Sequence, residues 1–274
     1  MRDGPEHGYV HGYDAGEQAR LHDQAATLET LLHHDSRFPE GCTVLEAGSG
    51  VGAQTLPLLR RNPGIRLTCV DIAAASLAEG RARIAAAGLP LPAFRQADLR
   101  ALPFADAAFD HAFVCFVLEH LPEPAAALAE LRRVVRPGGS LTVIEGDHGS
   151  VLLHPEDAAA RAAIACQVVL QRAAGGDAEI GRRLAPLLRQ AGFAEARVSP
   201  RLVYVDGSRP ALAEGFIRRT FTAMVAGIRD EAVHAGLTQE AAFDAGLRGL
   251  LRAADPDGTF CYTFFKAVAV VPAV

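Results

Sequence analysis

The sequence predicts an α/β fold built on a Rossmann-like, seven-stranded, mostly parallel sheet. Short runs rich in β-branched residues alternate with alanine- and leucine-rich helical segments, and the connections have the length of helical crossovers. A glycine-rich stretch follows the first of these runs directly. With 274 residues, half of them hydrophobic, the chain is long enough for one large domain with an insertion.

The first predicted helix covers 15–34, where leucine and alanine side chains recur at helical spacing. From Thr43 the pattern changes to the alternation that is typical of strands. Parallel strands joined by helical crossovers are covered by helices on both faces. The predicted strands are 43–47, 65–71, 92–97, 109–116 and 140–146, and the predicted helices between them are 53–61, 74–87 and 124–135.

The second half of the chain is more helical. Helices are predicted at 155–174 and 177–191, and two further strands at 196–206 and 259–271. The segment between these strands has apolar residues at helical spacing and must pack on another surface. We therefore divide the chain into an N-terminal helical lid (1–40), a core (41–206 and 258–274) and a helical insertion (207–257) that forms a substrate cap or a dimer contact.

Charge and composition narrow the function classes. The net charge is −5, lysine occurs once and the arginines are dispersed. The sequence therefore shows no basic stripe of the kind that binds nucleic acid, and we do not expect a nucleic-acid partner. No stretch approaches the roughly 18 uninterrupted apolar residues of a membrane span. The five cysteines are widely spaced, with no CxxC pair. This predicts reduced thiols in a cytoplasmic protein, and neither a zinc site nor a disulfide framework.

The glycine-rich stretch GSGVGA, residues 48–53, predicts a nucleoside cofactor site. It satisfies the pattern G-x-G-x-x-G/A after a strand and before a helix. Asp71 ends the next strand about 20 residues later, where a carboxylate can accept both hydroxyls of a ribose. The alternative is a tight turn together with an aspartate that caps the helix at 74–87.

Glu46 bears on the kind of nucleoside. A dinucleotide would place its pyrophosphate at the first helix, and a carboxylate two residues before the first glycine would repel that anion. S-adenosylmethionine carries no phosphate, and its ammonium group suits a nearby negative charge. The methyl donor is therefore favoured over a nicotinamide dinucleotide.

The sequence resembles the class I S-adenosylmethionine-dependent methyltransferases, especially their quinone-biosynthesis-like small-molecule group. The likeness covers roughly residues 40–147 and implies a seven-stranded sheet with a reversed last strand. The pair 196–206 and 259–271 fits that reversal. Four segments carry the resemblance: VLEAGSGVG at 44–52, CVDIA at 69–73, QADLRALPFADAAFDHAFVCFVLEHLPEP at 96–124 and ELRRVVRPGGSLTVIE at 130–145.

The resemblance implies a set of cofactor-binding positions. The glycine loop would surround the methionine end, and the ends of the second, third and fourth strands would bind the ribose, the adenine and the sulfonium side. For Asp98 a turn-forming role is the alternative, and for Cys115 it is simple core packing. With Glu46, which is added by its charge, the candidate cofactor-binding residues are Glu46, Gly48, Ser49, Gly50, Gly52, Gln54, Asp71, Ile72, Asp98, Leu99, Cys115 and Phe116.

The acceptor would lie where the N-terminal segment, the residues after the fifth strand and the insertion roof the sheet. His148 is the candidate general base, because it follows a strand end and an imidazole titrates near neutrality; local packing is the alternative. A metal site is not expected, since the spacing of Asp147, His148 and His154 matches no common one. The further acceptor-side candidates are Tyr9, Tyr13, Asp147, His154, Phe216 and Phe221.

Two of these candidates also raise the idea of a lid. Tyr9 and Tyr13 flank a glycine-rich stretch that would close over the cofactor, and a frayed tail is the alternative. His33, His34 and His234 are expected on helix surfaces.

The predicted function is methyl transfer from S-adenosylmethionine to an oxygen, nitrogen or carbon atom of a small, fairly apolar metabolite. Two alternatives stay open: a non-catalytic relative that binds the same cofactor, and a nicotinamide-dependent oxidoreductase that rests on the glycine pattern. The apolar face of the insertion equally allows a homodimer.

Overall fold

The computed structural model describes residue 25 and residues 27–273, and its centre is a seven-stranded sheet with the order β3-β2-β1-β4-β5-β7-β6. Only the pairs of β7 with β5 and with β6 are antiparallel. The predicted fold class, with its reversed last strand, is confirmed. The strands are Thr43–Ala47 (β1), Arg66–Asp71 (β2), Ala93–Gln96 (β3), Phe109–Cys115 (β4), Val135–His154 (β5), Ala194–Asp206 (β6) and Thr259–Val270 (β7).

Helices cover the sheet, as the crossover lengths predict. Short 3₁₀ turns lie at Leu118–His120 and Ile180–Arg183. In the insertion, a π-helical stretch (Ala213–Thr222) joins two α-helices. The helices are 27–33 (α1), Thr55–Arg61 (α2), Ala74–Ala86 (α3), Pro124–Val134 (α4), Ala158–Ala173 (α5), Leu184–Gln190 (α6), Pro210–Leu212 (α7), Ala223–Gly227 (α8), Arg229–His234 (α9) and Glu240–Arg252 (α10).

Helix α4 shows how the sequence sets an element. Pro124 occupies its first turn, where the missing N–H has no helical partner to lose. Leu128 and Leu131 recur on one face and are fully buried. The helix ends where Val135 adopts an extended conformation and begins β5.

Strand β5 is longer than the sequence predicts. It runs beyond 146 because pairing with β7 resumes after a bulge between Asp147 and Leu152. The glycines and the aspartate of GDHGS are typical of a turn. In the structure, however, the residues that follow alternate between buried (Val151, Leu153) and exposed (Leu152). This strand-like alternation is the sequence feature from which the longer strand could have been predicted.

The insertion packs its apolar face inward. Phe216 and Phe221 lie in the same core cluster as Phe260 and Phe264 of β7. Leu28 of α1 belongs to this cluster too, so α1, the insertion and the sheet share one apolar layer. A second cluster, which includes Leu128, fills the other face of the sheet.

The end of α1 is fixed to the sheet through Lys266 of β7, the single lysine in the sequence. Its side chain is only 2% exposed, and Nζ donates to the carbonyl of Leu32 at 3.2 Å, to Asp35 at 2.6 Å and to Ser36 Oγ at 2.8 Å. Arg201 of β6 pairs with the same Asp35. These bonds hold the segment that leads from α1 into β1.

None of the helices in the described part of the chain has the length and apolar character that a membrane crossing requires. All five cysteines lie in that part and are free thiols, four of them buried.

Candidate cofactor and acceptor site

The glycine loop lies at the carboxyl end of β1, and its conformation requires glycine. Gly48, Gly50 and Gly52 have φ angles of 77°, 50° and 75°. A β-carbon at Gly48 would lie 2.4 Å from Cγ2 of Val117. At Gly50 no atom lies within 4 Å of that position, so the loop is open on this side.

Asp71 connects β2 to the loop. Its Oδ2 accepts the Gly50 N–H at 2.8 Å, and its Oδ1 accepts the Ala73 N–H at 2.9 Å, just before α3. Asp71 thus caps the start of α3, as the alternative interpretation predicted, and it also bonds to the glycine loop. Each carboxylate oxygen can accept a further bond. Burial raises the pKa of Asp71, and bonds from the backbone N–H groups of Ala73, Gly50 and Ile72 oppose this effect.

Glu46 lies beneath the loop, between β1 and α2. Its Oε2 accepts the hydroxyl of Thr55 at 2.7 Å and the thiol of Cys69 at 3.4 Å. Burial raises the pKa of Glu46 to about 7. Whether Glu46 carries a negative charge near neutral pH therefore depends on its surroundings, and a nearby cation would favour the charged form.

Ser49 and Gln54 occupy the two ends of the loop. The Ser49 hydroxyl is buried, and Oγ has no hydrogen-bond partner within the described residues. Gln54 Oε1 is bonded to Nε2 of His33 at 2.8 Å. The expectation that His33 lies on a helix surface was wrong, because it is fully buried between α1 and the start of α2. His34 and His234 are exposed, as expected.

The ends of β2 and β3 bring the adenine-side candidates to one edge. Asp71 pairs in register with Gln96, whose side chain donates to the Ile72 carbonyl at 2.8 Å. Asp98 accepts from the Arg100 backbone N–H at 2.9 Å and from its guanidinium at 2.7 Å, which is the turn-forming arrangement. Leu99 is buried beside it.

The end of β4 forms the inner wall. Cys115 is buried, and burial raises the pKa of its thiol well above the ordinary value. Phe116 has a φ of 59° and its N–H donates to the Ile144 carbonyl at 2.9 Å. Its ring lies 5.3 Å from that of Phe264. The wall thus reaches an aromatic cluster that is formed by two insertion residues and three residues of β7: Phe216, Phe221, Phe260, Tyr262 and Phe264.

His148 lies in this aromatic cluster. It is 6% exposed, and its Nδ1 is 2.7 Å from the hydroxyl of Tyr262. The ring of Phe221 stands edge-on at 6.1 Å, and Phe216 lies 5.8 Å from Tyr262. The structure thus brings three of the acceptor-side candidates together. Sequence reasoning missed Tyr262, although the alternation in FCYTFFK places it on the face of Phe260 and Phe264.

The other acceptor-side candidates lie elsewhere. Asp147 is buried, and its two oxygens accept from Nε and Nη2 of Arg182 at 2.7 and 2.6 Å. His154 is exposed at the far end of β5, where its partner on β7 lies four residues from the partner of Asp147, or about 13 Å at the usual rise per residue. Tyr9 and Tyr13 fall outside the described residues. Within the described residues, no three potential ligands are grouped for a metal ion.

A family model described as a methyltransferase domain matches residues 45–143. The chain is 33% identical over 213 residues to an uncharacterized 37.1 kDa protein of a Streptomyces fradiae transposon, covering 75% of this chain and 61% of that protein. It is 41% identical over 108 residues to the ubiquinone/menaquinone biosynthesis C-methyltransferase UbiE of Paracoccus denitrificans, covering 39% of this chain and 43% of the relative. The chain thus spans less than two thirds of both relatives.

Solved structures share the fold. The [4+2]-cyclase SpnF aligns with a TM-score of 0.59 at 23% identity, over 92% of this chain and 83% of that one. A Haemonchus contortus phosphoethanolamine N-methyltransferase 2 also reaches 0.59, at 14% identity, over 95% of this chain and 59% of that one. At these identities the likeness shows the fold alone. With the matched domain and the similar relatives, the resemblance is confirmed: residues 45–143 form a methyltransferase domain of the class I S-adenosylmethionine-dependent family.

Proposed function

We propose that this protein transfers a methyl group from S-adenosylmethionine to an oxygen, nitrogen or carbon atom of a small, fairly apolar metabolite. The observation that carries the proposal is the bond from Gly50 N–H to Asp71, which joins the open glycine loop to a carboxylate at the adjoining strand end. The family of the matched domain supports the same cofactor.

The residues at the loop suit that cofactor. Asp71 retains acceptor capacity for the ribose hydroxyls, and Glu46 offers a carboxyl group whose ionisation an ammonium would favour. The buried, unpartnered hydroxyl of Ser49 suits a polar ligand group, since such a hydroxyl is costly to leave unbonded. Ile72, Asp98 and Leu99 would bind the adenine. When bound, the cofactor supplies a methyl group on a good leaving group.

Alignment would supply much of the rate. The chain's task is to hold the acceptor atom in line with the methyl carbon and to exclude water. Phe116, with its ring against Phe264, would separate the cofactor side from the aromatic cluster. The cluster is apolar apart from His148 and the hydroxyl of Tyr262, which supports an acceptor of low polarity.

His148 would remove the acceptor's proton where the acceptor holds one at neutral pH. The hydroxyl of Tyr262 would fix the orientation of the imidazole through Nδ1. A general base contributes about 10²–10⁴-fold. We therefore expect His148→Asn to lower kcat by at least about 10²-fold while leaving the dissociation constant of S-adenosylhomocysteine unchanged. Equal kcat values across pH 6–9 would remove this role.

A non-catalytic cofactor-binding relative is the second candidate. One observation favours it: Phe216, Phe221 and Tyr262 are each 2% exposed or less, so the space beside His148 is largely filled by side chains. The nicotinamide-dependent oxidoreductase has the glycine pattern as its sole support. We also propose a cytoplasmic location, in keeping with the free thiols, and keep a homodimer through the insertion as an alternative that light scattering would test.

One experiment separates the candidates. The protein is incubated with isotopically labelled methyl donor and a library of quinols, phenols, indoles, amines and prenylated metabolites, and the products are read by mass spectrometry. A labelled product identifies the acceptor and its atom, and Asp71→Ala serves as the binding-deficient control. Binding of S-adenosylhomocysteine without any product favours the non-catalytic relative. Binding of a reduced nicotinamide cofactor instead favours the oxidoreductase.

A further inference from the structure

A buried carboxyl group that the proposed mechanism does not use holds the turn after β4. Glu145 of β5 is fully buried. Its Oε1 accepts two backbone N–H groups, from Val117 at 3.1 Å and from Leu118 at 2.8 Å. Its Oε2 is buried and has no hydrogen-bond partner within the described residues. Through Oε1 the side chain thus holds the turn that follows the neighbouring strand.

The turn needs such support because its backbone is strained. Phe116 has a φ of 59°, in the left-handed region that side chains with a β-carbon disfavour. Two further N–H groups follow it and find no partner in the sheet ladder, because the pairing of β4 with β5 ends at Cys115 and Ile144. Glu145 satisfies both of them at once.

The same turn touches both halves of the site. On one side, the Val117 side chain fills the space where a β-carbon of Gly48 would lie, at 2.4 Å. On the other side, the ring of Phe116 lies against that of Phe264. The turn is therefore packed between the glycine loop and the aromatic cluster, and any shift of its backbone would move one relative to the other.

We propose that Glu145 is a positioning residue that fixes the turn 116–118 and thereby sets the spacing between the glycine loop and the aromatic acceptor cluster. This inference rests on the proposed function. Burial, together with the charge of Glu119, raises the pKa of Glu145 well above its ordinary value. The bonds to the turn are made by an acceptor oxygen, which an amide can replace.

The test compares Glu145→Gln with Glu145→Leu in the full chain. Leucine removes the acceptor and leaves two buried N–H groups unbonded, so we expect S-adenosylhomocysteine to bind at least about tenfold more weakly by calorimetry. The Val117 and Leu118 amides should also exchange with solvent faster. Glutamine keeps an acceptor oxygen, and both quantities should stay within about twofold of the unmodified protein. The matched control is Leu188→Ala, which removes a buried side chain from the core cluster that also contains Leu118 but takes away no hydrogen-bond acceptor.

Each outcome decides something. If Glu145→Leu does not fold, Glu145→Asp, which withdraws the carboxyl by one methylene, should show the same loss in smaller degree. A glutamine variant as weak as the leucine variant would overturn the positioning role, because charge rather than an acceptor would then be required. Unmodified protein that binds no S-adenosylhomocysteine overturns the proposed function. Equal binding by the unmodified protein and Glu145→Leu overturns this inference alone.

Discussion

At the scale of single residues, Asp71 has one structural role in the protein and one proposed role in ligand binding. Its carboxylate holds Gly50 and Ala73 through backbone N–H groups, and the proposal gives its remaining lone pairs to a ribose. The sequence predicted Asp71 as a site residue from spacing alone, because spacing fixes where a strand ends. It could not predict the bond to Gly50, which depends on how the loop turns back over β2.

We expect Asp71→Ala to weaken S-adenosylhomocysteine binding by roughly 10–100-fold, the effect of losing hydrogen bonds to a charged group. Calorimetry measures this loss. Asp206→Ala, at the half-buried end of β6, is the control and should bind normally. Folded Asp71→Ala protein with an unchanged dissociation constant would remove the residue from the site.

The raised pKa of Glu46 predicts that ligand binding is accompanied by the release of a proton. Its pKa of about 7 means that much of the carboxyl is protonated at pH 6 in the ligand-free protein. An ammonium beside it would favour the charged form, so binding of S-adenosylhomocysteine at pH 6 should release up to about one proton. The release should fade above pH 8, where the carboxyl is already ionised.

Calorimetry in two buffers of different ionisation enthalpy measures the protons released. Glu46→Gln should release none, whereas Glu195→Gln, whose exposed carboxyl pairs with Arg197 at the start of β6, should behave as the unmodified protein. Proton uptake on binding, or equal release by Glu46→Gln, would contradict the prediction.

At the scale of elements, α1 is joined to the start of α2 through one histidine. His33 bonds Gln54 at 2.8 Å and lies near Ser36, Lys266, Arg61 and Asp35. Burial lowers its pKa to about 4. The leucine spacing of the sequence predicted the helix itself. Its docked face could not be predicted, because a histidine suits both a surface and a buried polar contact.

The lowered pKa of His33 predicts acid sensitivity. The unfolded chain binds a proton below pH 6.5 while the folded chain resists it down to about 4, so the stability from neutral His33 is complete above pH 6.5 and is lost as the pH falls toward 4. The upper limit is about 3 kcal/mol. Glu46 acts in the opposite direction, because its raised pKa favours folding at low pH and that stability is lost as the pH rises through 7.

Urea unfolding at pH 7 and pH 4.5 should therefore be measured in the Glu46→Gln background. Adding His33→Gln should remove part of the remaining loss of unfolding free energy at pH 4.5, because burial also lowers the pKa of His111, and adding His34→Gln, at the exposed neighbour, should not. The prediction fails if the double variants lose stability to the same extent.

At the scale of the whole molecule, the insertion is bound into the core. Its Phe216 lies among Phe260, Tyr262 and Phe264 of the reversed strand. Helix and strand periodicity predicted the strands and the crossovers, since these depend on local pattern, whereas the reversed last strand was implied by the resemblance to the methyltransferase family. Which face of the sheet the insertion covers depends on contacts between residues far apart in sequence, and no local pattern encodes those.

We expect Phe216→Ala to lower a single unfolding transition of the entire protein. A buried phenylalanine contributes about 3–5 kcal/mol, which corresponds to roughly 10 °C in Tm for a protein of this size. Scanning calorimetry measures it, with Leu152→Ala, at an exposed position, as the control. A main transition that stays at the original temperature, with a small separate one below it, would mean that the insertion unfolds independently.

Lys266 gives the molecule an unusual chemical property. The sequence contains one lysine side chain with which an amine-specific acylating reagent could react. Its amine is enclosed between β7 and the end of α1, where it donates to Asp35, Ser36 and the Leu32 carbonyl. Modification at this position requires the helix end to leave the sheet. The rate at which Lys266 acquires such a label therefore reports how often α1 detaches, without any engineered probe.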